Sequence, residues 1–365
     1  MYLEFFKLNE FPFRLTPDTE FLFMSPAHAR AKAYMDYTVW NREGFVVITG
    51  EIGCGKTTLI QKLLSELDDE NVLVAKVFQT QLDEVEFLQA MLVEFGLNPF
   101  NAKKVELIDM LNTFLVESFL KYKQLVLIVD DAHNLSMKVL EEIRMLSGLE
   151  TQKEKILHVI LVGQPPLNEL IEAPEMEQLL QRVRLRFHLK ALSPEEVEEY
   201  VAHRLKVAGA TDNGLFAAET IPIVHKYTGG IPRLINTLCD TALTCAYADS
   251  IDRVTPAVME AAVEELQWAP YAKRASAKRL SKSHAARANG ATGDAEEQTR
   301  MLTTIGARLS QLDALTPSVT TMSDRLASIE AILRDIAKAL QSRRTEVQPP
   351  SEEIPRQEVP RRGTK

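Results

Sequence analysis

Four short runs are apolar at nearly every position: GFVVITG (44–50), VLVAKVF (72–78), QLVLIVD (124–130) and LHVILVG (157–163). Between them lie longer stretches whose apolar residues recur at helical spacing. Continuous apolar runs belong to strands covered on both faces, and their alternation with amphipathic helices predicts a parallel α/β sheet sandwiched by helices. RVRLRFHL (182–189) is different. Val183, Leu185, Phe187 and Leu189 alternate there with Arg182, Arg184, Arg186 and His188, which on a strand gives one apolar and one basic face. These patterns set an α/β core at 45–192, preceded by an N-terminal segment at 1–44.

From 193 to 268 the pattern is helical. Ser193-Pro194-Glu195-Glu196 and Thr255-Pro256 read as helix starts, with a capping hydroxyl followed by Pro in the first turn. Gly229-Gly230-Ile231-Pro232 breaks the chain between helices. A small all-α domain is expected over these residues. Beyond it, 269–300 reads as a basic flexible linker: Lys273, Arg274, Lys278, Arg279, Lys282 and Arg287 precede the first acid, Asp294. At 301–342, Leu312, Leu315, Val319, Met322, Leu326, Ile329, Leu333, Ile336 and Leu340 repeat as the a and d positions of a coiled coil. A single amphipathic helix folded back on the body is the alternative. Residues 343–365 read as a disordered tail by composition.

The chain has 365 residues, 45% hydrophobic and 25% charged, with a net charge of −9, values of a soluble globular protein with a sizeable core. That charge argues against indiscriminate binding to nucleic acid. The start lacks a basic segment followed by a sustained apolar one, and no stretch reaches the ~18 apolar residues that span a bilayer. Cys54, Cys239 and Cys245 form no CxxC pair and suit a reducing compartment. The expected location is the cytoplasm, with peripheral contact at the inner membrane left open.

Chemistry concentrates first at Gly50-Glu51-Ile52-Gly53-Cys54-Gly55-Lys56-Thr57, which fits GxxxxGK[ST] directly after an apolar strand and before a helical run. Glycines let successive backbone N–H groups turn inward around a β-phosphate, and the helix N-terminus adds positive potential. Gly50, Gly53, Cys54, Gly55, Lys56, Thr57 and Thr58 are therefore the candidate ATP-binding residues. Lys56 is expected on the β/γ-phosphates and the Thr57 hydroxyl on Mg²⁺. Cys54 is read as a small space-filling residue rather than a reactive thiol.

The second concentration is VLIVDDAHNL (126–135). Asp130 ends an apolar strand, where its carboxylate can hold Mg²⁺ through water. Asp131 follows, placed to polarise an attacking water. It is one methylene shorter than Glu, which draws the carboxylate back by roughly an ångström, and general-base contact needs about 3 Å. Three readings remain open: slow hydrolysis, attack through a bridging water, or orientation of the metal ligands alone. His133 reads as a hydrogen-bonding or surface histidine.

The phosphate loop, DDAHNL, VGQPPL (162–167), LLQRVRLRFHLKAL (179–192) and GGIPRLIN (229–236) stand in the order seen in AAA+ ATPases, which this chain resembles. With FPFRLTPDTEFLF (11–23), the resemblance narrows to the secretion-associated ATPases of the ExeA/GspA and MshM type and the related ATPase of exopolysaccharide and exosortase loci. It covers about 1–268. It implies a P-loop NTPase (AAA+) sheet, an N-terminal segment flanking the nucleotide site, a small all-α lid at 193–268 and, with the heptads added, a C-terminal coiled-coil helix. It also implies Gln164 as a sensor on the γ-phosphate or attacking water, Arg233 as a lid arginine on the γ-phosphate, and Arg182, with Arg184 as the alternative, as an arginine finger completing a neighbour's site. Two departures stand out. Relatives carry Glu where Asp131 stands, and the ExeA-type chains continue into a membrane span and a periplasmic domain.

Three functions follow. The first is a cytoplasmic, homo-oligomeric AAA+ ATPase that drives or regulates assembly of an envelope system (secretion, pilus or exopolysaccharide export) and is tethered through the coiled coil. The second is a nucleotide-gated scaffold with very slow hydrolysis. The third, a DNA-handling AAA+ regulator, rests on the basic stretch 273–287, which lacks aromatics for base stacking; nucleic acid is not the expected partner.

Overall fold

The strands form because their residues have two faces to bury. The computed structural model describes residues 2–41, 44–67, 71–78, 80–151, 154–211 and 214–277. Within them, β1 (Phe45–Gly50), β2 (Val72–Val77), β3 (Gln124–Val129), β4 (Leu157–Gly163) and β5 (Val183–Leu189) make one five-stranded sheet in the order β2-β3-β4-β1-β5. Every pairing is parallel. The four apolar runs of the sequence are β1 to β4, and RVRLRFHL is β5, an edge strand. Its predicted alternation holds only in part: Arg184 and His188 are exposed and Leu189 is buried, whereas Arg182 and Arg186 are half-buried like Val183, Leu185 and Phe187.

Alternate side chains feed two separate layers. Phe45, Val47, Leu125, Leu127, Val129, Leu157, Val159 and Leu161 lie in one apolar cluster, whereas Val46, Ile48, Val126, Ile128, Ile160 and Val162 lie in another. Helices cover both faces of this sheet. In chain order, α1 (Tyr2–Phe5) opens the N-terminal segment, and α2 (Pro26–Trp40) and α3 (Lys56–Glu66) cover the second cluster. The first cluster is covered by α4 (Glu84–Glu94), α5 (Lys104–Leu120), α6 (Met137–Leu146), α7 (Pro166–Ile171) and α8 (Glu177–Leu180). Two covered faces explain why β1 and β4 are buried along their whole length.

The helical part is α9 (Pro194–Val207), α10 (Ile221–Thr228), α11 (Pro232–Ala248) and α12 (Pro256–Glu265). The expected starts are present: Ser193 and Thr255 are N-caps, and Ser193 with Glu196 forms a full capping box. These helices share a third apolar core with Tyr2, Leu8, Phe13 and Phe21 of the N-terminal segment. That segment thus belongs to two bodies, its first part packed with the helical domain and α2 packed on the sheet.

Residues 271–277 depart from expectation. Composition placed them in a linker beginning at 269, yet they are helical. The Tyr271 ring packs on Gly229, and the Arg274 guanidinium lies 4.5 Å over the Trp268 ring and donates to the Tyr227 carbonyl. Basic side chains with long apolar stems stay helical when an aromatic surface lies under them. The rest of the predicted linker, the heptads at 301–342 and the tail at 343–365 lie outside the described residues.

The link between core and helical domain allows little variation. Leu192 N–H donates to the Gly230 carbonyl at 2.8 Å. Gly230 has φ +74, and a Cβ there would stand 1.9 Å from the Leu192 carbonyl oxygen. Gly230→Ala is expected to lower unfolding free energy by at least about 2 kcal/mol, the sum of backbone strain and forced separation. Leu127→Ala, in the fully buried centre of β3, is expected to cost about 3–4 kcal/mol. Urea unfolding with both variants checks the two values, and both should leave the denaturant slope unchanged.

Candidate nucleotide site

The loop after β1 carries out the geometry its glycines imply. Gly53 and Gly55 sit at φ +85 and +89, and Gly55 is the N-cap of α3. These left-handed turns let the loop fold over the α3 N-terminus, where Gly53 and Gly55 line one cavity. The carbonyls are tied elsewhere. Arg233 N–H, at the start of α11, donates to the Gly53 carbonyl at 3.1 Å. The Cys54 carbonyl is 2.9 Å from His28 Nε2, and Lys56 Nζ donates to the Gly50 and Glu51 carbonyls at 2.8 and 2.9 Å.

Lys56 is buried, and burial draws its ammonium pKa below the usual lysine range, against the opposing pull of Asp130 and Asp131. Cys54 is also buried, and desolvation pushes its thiol up to about 11. Both features disfavour a reactive thiolate at this position.

The Thr57 hydroxyl donates to Asp130 Oδ2 at 2.7 Å. β3 and β1 are separated by β4 in the sheet, so this bond crosses from the start of α3 to the end of β3. A hydroxyl and a carboxylate, both hard oxygen donors beside a phosphate loop, fit Mg²⁺. Among the described residues no group of three or more His, Cys, Asp or Glu is arranged to hold a metal, so a cation here would take its remaining ligands from nucleotide and water.

Asp131 has φ 50 and ψ 34, the left-handed region, which Asp and Asn enter far more readily than Glu. Its N–H donates to Asp130 Oδ1 at 2.9 Å, and its carbonyl accepts from Thr80 Oγ1 at 3.1 Å. The carboxylate is half-exposed, 3.8 Å from His133 Nδ1. His133 Nδ1 accepts from Gln164 N–H at 3.4 Å, and burial lowers the imidazole pKa. The β4 end, with Gln164, therefore lies between the two strand ends that carry the loop and the acids.

The opposite wall comes from far along the chain. Tyr200 hydroxyl donates to Asn236 Oδ1 at 2.7 Å, and Asn236 Nδ2 donates to the Arg14 carbonyl at 3.2 Å. Arg204 is buried, donates from Nε to the Pro12 carbonyl at 2.6 Å, and lies 4.6 Å over the Phe21 ring. A buried guanidinium held by backbone carbonyls and an aromatic face fastens the N-terminal segment to α9. Together these walls enclose a cavity of about 450 Å³.

Gly53, Gly55, Lys56, Thr57, Thr58, Asp131, Gln164 and Arg233 all line that cavity. Asp130 meets it through Thr57. Arg182 lies elsewhere: its NH1 donates to the Arg144 carbonyl at 2.6 Å and to Ser147 Oγ at 2.9 Å, at the C-terminus of α6, a favourable position for a cation. Arg184 is exposed on β5. Sequence reasoning missed His28, Tyr200, Arg204 and Asn236 as members of the site. Ser25-Pro26 followed by His28 was a legible helix start, but nothing local says which loop that helix faces.

Residues 40–171 match the AAA domain family. Over 250 residues the sequence is 40% identical to General secretion pathway protein A of Aeromonas hydrophila, covering 68% of this chain and 45% of that protein. The chain thus spans about half the length of that curated relative. Among solved structures, Cdc6p from Pyrobaculum aerophilum superposes with a TM-score of 0.54 at 14% identity, covering 72% of this chain and 70% of that one. The ORC2 protein of Aeropyrum pernix, as ADPNP–ADP complexes, gives 0.51 at 17% identity over 68% and 72%. At such identities the likeness shows the fold alone. Sheet order, phosphate loop and sequence agree: this chain carries an AAA domain on an AAA+ P-loop NTPase fold and is related, over its body, to general secretion pathway protein A.

Proposed function

We propose that the chain binds Mg·ATP in the cavity and hydrolyses it, and that this cycle drives or regulates assembly of an envelope system for secretion, pilus or polysaccharide export. The observation that carries the first half is convergence. Lys56, the Thr57–Asp130 pair, Asp131, Gln164 and Arg233 come from the ends of β1, β3 and β4 and the start of α11 and meet at one cavity. In this reading Lys56 and the loop N–H groups bind the phosphates, and Thr57 and Asp130 hold the magnesium. Asp131 orients the attacking water, Gln164 touches the γ-phosphate end, and Arg233 reports the nucleotide to the helical domain, which acts as a lid.

The envelope role rests on likeness to general secretion pathway protein A, and this chain covers 45% of that protein. No helix among the described residues is long and apolar enough to cross a membrane. A cytoplasmic or peripheral position and a tether through the heptads at 301–342 complete the proposal. Homo-oligomers form with Arg182 as the arginine supplied to a neighbour, a role that requires its NH1 to leave the Arg144 carbonyl and Ser147 Oγ.

A second reading, a nucleotide-gated scaffold with slow turnover, is favoured by Asp131 alone. The left-handed backbone suits Asp, and the half-exposed carboxylate is short for direct attack on water.

Steady-state ATP turnover across protein concentration separates these readings. Turnover is expected to rise with concentration and to fall by at least about a hundredfold in Lys56→Ala. Asp131→Glu is expected to raise turnover while costing roughly 0.5–1 kcal/mol of stability from the positive φ. Negligible wild-type turnover with tight ATP binding, rescued by Asp131→Glu, would select the scaffold. Mixing Arg182→Ala with Lys56→Ala is expected to restore part of the activity each lacks alone, since each supplies what the other is missing. No restoration in mixed oligomers would remove Arg182 as a finger.

A further inference from the structure

His28 serves no role in the chemistry described so far, yet it is one of the few buried titratable side chains touching the phosphate loop. It lies in the first turn of α2, 3% exposed. Ser25 Oγ, the N-cap of α2, is 2.8 Å from His28 Nδ1, and His28 Nε2 is 2.9 Å from the Cys54 carbonyl oxygen. A carbonyl can only accept, so Nε2 carries the hydrogen and Nδ1 accepts from the Ser25 hydroxyl. Both ring nitrogens are satisfied in the neutral imidazole. Burial lowers the pKa, which agrees with that tautomer.

The acceptor is the peptide between Cys54 and Gly55, directly before Lys56. Gly55 is at φ +89, and a Cβ there would stand 3.2 Å from His28 Nε2. The imidazole therefore packs directly against the Gly55 backbone. The preceding carbonyl, Gly53, is held from another direction by Arg233 N–H. Successive carbonyls of a flexible glycine loop are thus fixed outward from two separate elements. A peptide that flips would turn its carbonyl toward an anion and its N–H away, reversing the sign of the field at that point.

We propose that His28 is a positioning residue for nucleotide binding: the Ser25–His28 pair holds the Cys54 carbonyl outward so that the phosphate loop is preorganised for the anion. This rests on the Mg·ATP reading above. Preorganisation lowers the ordering cost of binding, so the loss should appear in affinity for anything that carries phosphate and not for adenosine.

The test uses the full chain and Mg·ATP, Mg·ADP and adenosine as probes, with dissociation constants from calorimetry or competition and thermal unfolding measured without ligand. His28→Phe keeps an aromatic ring and removes the hydrogen bond. His28→Gln offers an amide N–H in place of Nε2. His28→Phe is expected to weaken Mg·ATP and Mg·ADP by about tenfold with adenosine unchanged, and His28→Gln to stay within about threefold of wild type for Mg·ATP. Wild-type affinity in His28→Phe overturns the proposal. So does equal loss in His28→Gln and His28→Phe across all three probes, which is the signature of packing alone. Should His28→Phe fail to fold, Ser25→Ala decides: loss confined to the phosphorylated ligands supports the proposal, and unchanged affinity overturns it. Wild-type protein that binds Mg·ATP no better than Lys56→Ala would overturn the nucleotide reading itself, and the role of His28 with it.

Discussion

The site depends on one constraint: a sheet whose strands all run parallel must return every crossover to the same edge before the next strand begins. The C-terminal ends of β1, β3 and β4 therefore lie side by side, with β4 between the other two. Whatever the chain places immediately after each strand is gathered there. After β1 comes the phosphate loop, after β3 the acids, and after β4 Gln164. The 2.7 Å bond from Thr57 to Asp130 closes this arrangement across the width of β4. It also shows why the two acids differ. Asp130 continues the strand and is nearly buried, whereas Asp131 turns away into the left-handed region and stays half-exposed.

The sheet supplies half of a binding site, and the remaining half is not made by local sequence. Arg14, Tyr200, Arg204, Arg233 and Asn236 come from the N-terminal segment and the helical domain. Arg204 fastens the segment to α9 through the Pro12 carbonyl, and the segment then runs on through Ser25 into α2. One continuous stretch thus joins the helical domain to the outer side of the phosphate loop, while Arg233 joins it at a second point. The helical domain therefore contacts the loop through two links, one by way of the N-terminal segment and α2 and one directly.

Asp131 illustrates how backbone conformation and chemistry can disagree. A longer acid would bring its carboxylate nearer a substrate water, but a left-handed residue favours the shorter one. The Asp here satisfies the backbone. His133 Nδ1, accepting from the Gln164 N–H, ties the turn after β3 to the end of β4.

The amino-acid sequence by itself determined what is periodic or contiguous. Continuous apolar runs matched β1, β3 and β4 because a strand buried on both faces has little room for polar residues, and matched β2 although that edge strand is only partly buried and carries Lys76. GxxxxGK[ST] and the Asp130 strand end were legible because their function is built into neighbouring backbone. Ser193 and Thr255 were legible as helix starts for the same reason. Tertiary structure alone decided the strand order, the anchoring of Arg182 at the α6 C-terminus and the packing of Tyr271 and Arg274 on Gly229 and Trp268. It alone brought His28 to Cys54 and Arg204 to Pro12. Apart from Arg274 on Trp268, these join residues far apart in the chain, and no spacing rule encodes such a contact. It exists only after the sheet has fixed where each segment lies and burial has driven most polar groups to find a partner.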